Sequence, residues 1–185
     1  FKMNSVVRAN LSVEYSADLG PLGDGWVFRG DIAKTWNRNS YIMIDLRAIA
    51  NGTLPDGRPR YQGIAGSAGN DLQLQSATGG GAFIAAASVS KDWQSGLSFQ
   101  AAYTRSRITD YLTDTGGTTA SGSYGVTVRD PNRPDLATSS LQVGNQVRMT
   151  LNYRHAFFGD NETNFQIFGL YRQGRPYSYT FGDPG

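Results

Sequence analysis

The chain has 185 residues, of which 39% are hydrophobic, with a mean hydropathy of -0.40; no run approaches the ~18–20 consecutive apolar residues of a spanning helix, which excludes a helical membrane protein. A β-barrel stays open, because strands that alternate apolar with polar residues average to a soluble-looking composition. A net charge of +2 without a basic run excludes nucleic-acid binding, and the absence of cysteine excludes a disulfide scaffold and cysteine-bearing metal sites.

Glycine (23 residues) and aromatics (12%) set against only 17% charged residues favour strands and turns. From Val6 to Ser16 the odd positions Val7, Ala9, Leu11, Val13 and Tyr15 face away from Arg8, Asn10, Ser12, Glu14 and Ser16, a period of two. A turn over residues 17–25 leads to a returning strand with Trp26, Phe28, Gly30 and Ile32 on one side and Val27, Arg29, Asp31, Ala33 and Thr35 on the other. A third strand, from about Gly81 to Trp93, sets Phe83, Ala85, Ala87 and Val89 against Ala86, Ser88 and Ser90. Gln94-Ser95-Gly96 joins it as a hairpin to a fourth, where Leu97, Phe99, Ala101 and Tyr103 alternate with Ser98, Gln100, Ala102 and Thr104. The fifth carries Val143, Val147, Met149, Leu151 and Tyr153 opposite Gln142, Gln146, Arg148, Thr150, Asn152 and Arg154. Residues 158–162 turn into a sixth, with Phe165, Ile167, Gly169 and Tyr171 on one face and a mixed second face.

Each alternation lasts roughly nine to eleven residues, the length of a tilted strand crossing hydrocarbon, whereas sandwich strands most often run about five or six. The connections alternate between short and long, the long ones covering about 37–80 and 108–140; barrels place short turns on the periplasmic side and long loops outside. Tyr15, Trp26, Trp93, Tyr153 and Phe165 collect near the short turns, as an interfacial aromatic girdle would, with Trp36 and Tyr103 nearer the long loops. Lys34, Lys91 and Arg105 share the apolar parity only at strand ends, where their stems can snorkel. The pattern predicts an all-β fold, an antiparallel up-and-down meander of about six strands that forms part of a transmembrane β-barrel with long extracellular loops. The chain opens at Phe1 without an initiator Met or leader and stops inside Gly182-Asp183-Pro184-Gly185, so both ends read as cuts.

Arg8, Glu14, Arg29, Asp31, Arg148 and Arg154 fall on the lumen parity and are the candidate substrate-binding residues, against the plainer reading of a solvated or salt-bridged barrel wall. Trp36, Tyr41, Tyr61, Tyr111 and Tyr124 in or near the long loops could stack on a flat ligand. Catalysis is not expected: His155, the only histidine, shares the lipid-side parity of Tyr153. No metal or cofactor is expected either, because Asp110, Asp114, Asp130 and Asp135 lack the ordered spacing of a calcium loop, and Gly79-Gly80-Gly81 lacks the lysine and following helix of a phosphate loop. Asp130-Pro131-Asn132-Arg133-Pro134-Asp135 reads as a stiff, locally capped turn.

Several strings resemble the barrel of Oar-like TonB-dependent outer-membrane receptors: Tyr15-Ser16-Ala17-Asp18-Leu19-Gly20 with Gly25-Trp26-Val27-Phe28-Arg29-Gly30-Asp31, Asp56-Gly57-Arg58-Pro59-Arg60-Tyr61, Leu151-Asn152-Tyr153-Arg154-His155-Ala156-Phe157-Phe158-Gly159-Asp160, and Gly174-Arg175-Pro176-Tyr177-Ser178-Tyr179-Thr180-Phe181-Gly182. The resemblance spans most of the chain. It implies a 22-stranded barrel in the outer membrane of a Gram-negative cell, a plug in its lumen, coupling to the TonB complex through that plug, and active uptake of a nutrient. Plug, TonB box, signal peptide and terminal strand are all missing from this stretch. Its expected partners are outer-membrane lipid, the TonB complex through the missing plug region and a nutrient ligand. The alternatives are a passive porin or adhesin-type barrel, and a secreted soluble β-sandwich binding module.

Overall fold

The structure, a computed structural model, describes residues 2–62, 71–111, 129–159 and 161–177. Ten strands are present among them: β1 (Ser5–Ala17), β2 (Trp26–Asp45), β3 (Ile49–Thr53), β4 (Pro59–Gln62), β5 (Leu72–Ala77), β6 (Gly81–Asp92), β7 (Leu97–Asp110), β8 (Ala137–Thr138), β9 (Asn145–Phe158) and β10 (Asn161–Arg172). Six of them form an open antiparallel meander in the order β1-β2-β6-β7-β9-β10. The other four are short. β5 pairs with the far half of β2, β8 with the end of β7, and β3 with β4 as a separate hairpin. No described helix is long and apolar enough to cross a membrane, which says nothing of strands.

The six long strands lie where period two places them, and both faces follow. In the register Leu11 meets Ile32, Tyr15 meets Phe28, Phe28 meets Val89, Val89 meets Ala101, Ala101 meets Met149, and Leu151 meets Ile167. The apolar parities of all six strands therefore merge into one continuous face, as a side-chain period of two in register demands. A one-residue slip in any strand would break it.

The long connections are not plain loops. β2 runs ten residues past Thr35 to Asp45, β5 returns along it with Tyr41 opposite Ser76 and Ile44 opposite Gln73, and β7 continues to Asp110. The expected six strands are thus joined by four shorter ones, and Trp36 lies within β2. At the tip of the β3–β4 hairpin Asp56 accepts the Arg58 backbone N–H at 3.1 Å and its Nε at 2.6 Å. First the Arg58 backbone N–H and then its guanidinium hold the Asp56 carboxyl below the ordinary aspartate range. Because the folded value is depressed, this contact is intact above the ordinary range and is lost as pH falls through the depressed value. A carboxyl chemical-shift titration should therefore place Asp56 below a free aspartate, and Arg58→Ala should return it; an ordinary midpoint in the parent chain would mean that the tip contact does not persist in solution.

Short turns close the opposite end. Trp93 N–H donates to the Leu97 carbonyl at 2.8 Å and Gly96 N–H to the Trp93 carbonyl at 3.1 Å, with Gly96 at φ +85°. Between β1 and β2 a single 3-10 turn, Gly20–Leu22, is fastened by Gly23 N–H on the Gly20 carbonyl at 2.8 Å and by Gly25 N–H on Asp18 Oδ1 at 3.0 Å.

One layer of sheet encloses no core. Among the described residues no hydrophobic side chain is buried; the buried ones with polar groups are Lys91 and Ser139. On the apolar face Leu11, Tyr15, Ile167 and Tyr171 are more than 60% exposed. A contiguous exposed apolar area of this kind marks an interaction surface, since water-soluble domains cover such a face with a second layer.

Candidate functional site

Two surfaces are candidates for a functional role: the apolar face, which no described residue covers, and the polar face behind it. On the apolar face five of the long strands hold an uncharged stretch of the same length: Trp26 to Ile32, Phe83 to Val89, Leu97 to Tyr103, Val147 to Tyr153 and Phe165 to Tyr171. Charge enters only beyond these stretches, at Lys34, Lys91, Arg105 and Arg107. Arg107 joins the three expected from sequence because β7 runs further than its alternation indicated.

Both rims are aromatic. At the short-turn end Lys91, only 4% exposed, sits with Nζ 5.6 Å from the Trp26 ring centre and 5.3 Å from that of Trp93. The two indoles meet edge to face at 5.8 Å, and the ammonium donates to the Asp24 carbonyl of the β1–β2 turn. The lysine reaches this rim by threading its stem past the rings, so its charge leaves the apolar face. On β9 and β10 Tyr153, His155, Phe157 and Phe165 continue the belt: His155 stacks on Tyr153 at 5.9 Å and meets Phe157 edge-on at 4.7 Å, and Phe157 meets Phe165 at 6.1 Å. His155 thus lies among rings on the apolar face, the placement its parity indicated. At the long-loop end Lys34 approaches Trp36 with Nζ 5.9 Å from the ring centre.

The uncharged band crosses the hydrogen-bonding register obliquely. Starting at Arg29, the middle of the stretch on β2, the register passes through Ser88, Ala102 and Arg148 to Leu170, whereas the stretch on β10 is centred on Phe168, two residues nearer the short turns.

The six candidate substrate-binding residues all lie on the polar face, but they do not converge. Glu14 and Arg29 are cross-strand neighbours joined at 2.5 Å between Oε2 and Nε, with side chains 54% and 55% exposed. A pair so open to water contributes under about 1 kcal/mol. Arg8 donates from Nε to Thr35 Oγ1 at 3.3 Å near the long-loop end. Arg154 lies near the other end, 3.6 Å from Glu162 Oε1. Asp31 stands between Ser12 and Ala86, and Arg148 between Ala102 and Leu170, and neither forms an ion pair among the described residues.

Two depressions open on this face. One, of about 450 Å³ near the short turns, is lined by Ser98, Asn152, Arg154, Asn164 and Gln166. The other, of about 260 Å³ near the long loops, is lined by Arg8, Asn37, Tyr41, Asp110, Tyr111 and Leu141. Tyr41 and Tyr111, singled out for ring stacking, meet here, whereas Trp36 turns to the apolar rim and Tyr61 lies on the β3–β4 hairpin. Asn37 is a lining residue that sequence reasoning missed, because it lies where the alternation of β2 fails. Asp114 and Tyr124 lie outside the described residues. No group of three or more metal-ligating side chains occurs among the described residues. Comparison with protein-family models, curated proteins and solved structures yields no match.

Proposed function

We propose that this chain is a stretch of a transmembrane β-barrel in the outer membrane of a Gram-negative cell, its apolar face on lipid and its polar face on the lumen, and that the barrel belongs to a TonB-dependent receptor for active uptake of a nutrient. The observation that carries the membrane reading is the continuous apolar face, uncharged through its middle, bordered by aromatic rims and covered by none of the described residues. A soluble sandwich would seat a second sheet there. The emergence of basic side chains only at the rims further supports lipid as its partner.

The outer edges of β1 and β10 support a larger closed sheet. Both strands are long, 13 and 12 residues, and neither contains a proline of the kind with which soluble proteins blunt an edge. Hydrocarbon tolerates no unpaired backbone, so in a membrane each edge needs a further strand. Phe168 and Leu170, 56% and 53% exposed on the same face as the charged residues, suit a lumen that holds a folded plug better than one filled with water alone. TonB coupling and the 22-stranded count rest on the sequence resemblance. Reading the gene beyond both ends of this stretch tests them: a signal peptide, a plug with a TonB box upstream and further alternating strands downstream are expected, while strands without a plug would replace the receptor with a porin or adhesin.

A further inference from the structure

The described parts of the two long excursions, residues 46–62 with 71–80 and residue 111 with 129–144, meet at one small cluster. Asp45 ends β2, and its backbone N–H donates to Asn132 Oδ1 at 2.8 Å while Asn132 Nδ2 donates to the Asp45 carbonyl at 3.0 Å. A single carboxamide thus makes both hydrogen bonds that a neighbouring strand would make, across 87 residues of sequence. The turn presents Asn132 for this purpose: Asp130 Oδ1 accepts the N–H groups of Asn132 and Arg133 at 2.9 and 3.1 Å, and Pro131 sets φ between them. From β4 the Tyr61 hydroxyl donates to the same Asp130 oxygen at 2.8 Å. Asp45 Oδ1 in turn accepts the N–H groups of Arg47 and Asp71 at 3.0 and 3.1 Å, which draws both ends of the first excursion to the same point.

The depression near the long loops lies between the far half of β2 and the second excursion: most of its lining comes from β1, β2, β6 and β7, and the second excursion adds Tyr111 and Leu141. Tyr41 lies four residues before Asp45 on β2, and Asp110 with Tyr111 and then Leu141 stand at the two ends of the second excursion. We propose that the Asn132–Asp45 contact is a releasable clip that holds the turn around Asn132 against the end of β2 and governs how far the depression between Tyr41 and Tyr111 opens. The clip consists of neutral hydrogen bonds in part-buried surroundings, each of which shifts an open-closed equilibrium only about two- to tenfold. It can therefore open without unfolding the sheet, whose strands are held by complete ladders.

The test uses the purified, folded full-length protein, so that its result does not depend on where the protein resides or on the membrane reading. Asn132→Ala should raise amide exchange at Asp45 and Asp71 about tenfold or more. It should admit trypsin at Arg47 and Arg60 together with Arg129, none of which precedes a proline, and raise hydroxyl-radical labelling of Tyr41 and Tyr111. Asn152→Ala, which removes an amide bonded to Ser98 at the other end of the polar face, should change none of these. If Asn132→Ala fails to fold, Asn132→Asp keeps an acceptor oxygen and the turn but cannot donate to the Asp45 carbonyl, and should give the same pattern. Cleavage rising only at Arg129 would reduce Asn132 to a local turn residue and overturn the clip; release at Arg47, Arg60 and Arg129 with unchanged tyrosine labelling would overturn its control of the depression.

Discussion

Leu151→Arg should abolish assembly of the full-length protein in the outer membrane, while Thr150→Arg assembles normally. The two positions are adjacent on β9 and face opposite ways: Leu151 lies between Phe99 and Ile167, and Thr150 between Gln100 and Phe168. Leu151 also borders the middle of the uncharged stretch that runs from Val147 to Tyr153. If that face meets lipid, as proposed, an arginine there costs about 2–4 kcal/mol, and the rims are too far for its stem to carry the charge out. On the lumen side the same guanidinium finds water and the polar side chains of Gln100 and Asn152. Heat-modifiable gel mobility and protease resistance of the outer-membrane fraction report assembly. Equal tolerance at both positions would remove the assignment of faces, and equal intolerance would mean that the polar face is packed against protein rather than lining a wet lumen.

Such an experiment can be written almost from the sequence, because facing is a local property. A period of two survives whatever lies beyond the strand, and the parities of Val7 to Tyr15 and of Val147 to Tyr153 fall on the face they predict. What the sequence hides is pairing and extension. β2 continues through Trp36-Asn37-Arg38-Asn39-Ser40 and then Tyr41-Ile42-Met43-Ile44, a polar run followed by an apolar one, and neither alternates. That half of the strand is specified by its partner β5 and by loops that cover it rather than by one wet and one dry face. The candidate lumen residues show the same limit. Their parity is legible, but whether two of them touch is a matter of register. Glu14 meets Arg29 because the turn over residues 18–25 sets that register, whereas Arg8 and Arg154 end far apart along the strands. The turn over Asp130 to Pro134 was legible as a turn, down to its aspartate cap. Its attachment to Asp45 was not, since nothing local in an Asn-Arg-Pro sequence points to a strand end 87 residues away. Lys91 was legible as a charge near a strand end, but its burial between Trp26 and Trp93 depends on β2 and β6 lying side by side.

Register therefore deserves the second decisive test, and Gly96 supplies it. Gly96 closes the β6–β7 hairpin at φ +85°, and its carbonyl accepts the Arg154 N–H of β9 at 2.9 Å, so the turn is laid directly on the backbone of a third strand. A Cβ added at Gly96 would overlap the Arg154 carbonyl oxygen, which cannot rotate away as a side chain would. Gly96→Ala should then cost at least about 3 kcal/mol: roughly 1–2 for an L-residue in the left-handed region, about 1 for the weakened Arg154 hydrogen bond, and the remainder for moving β9 off the hairpin. Gly25→Ala is the control, since Gly25 has a comparable φ of +75° and a Cβ there meets nothing within 4 Å. It carries the conformational cost alone. A urea unfolding midpoint that falls much further for Gly96→Ala than for Gly25→Ala would place β9 against the β6–β7 turn in the folded protein. Equal shifts would mean that the turn is free of β9, and the alignment of Leu97 with Tyr153, on which the whole apolar face depends, would have to be redrawn.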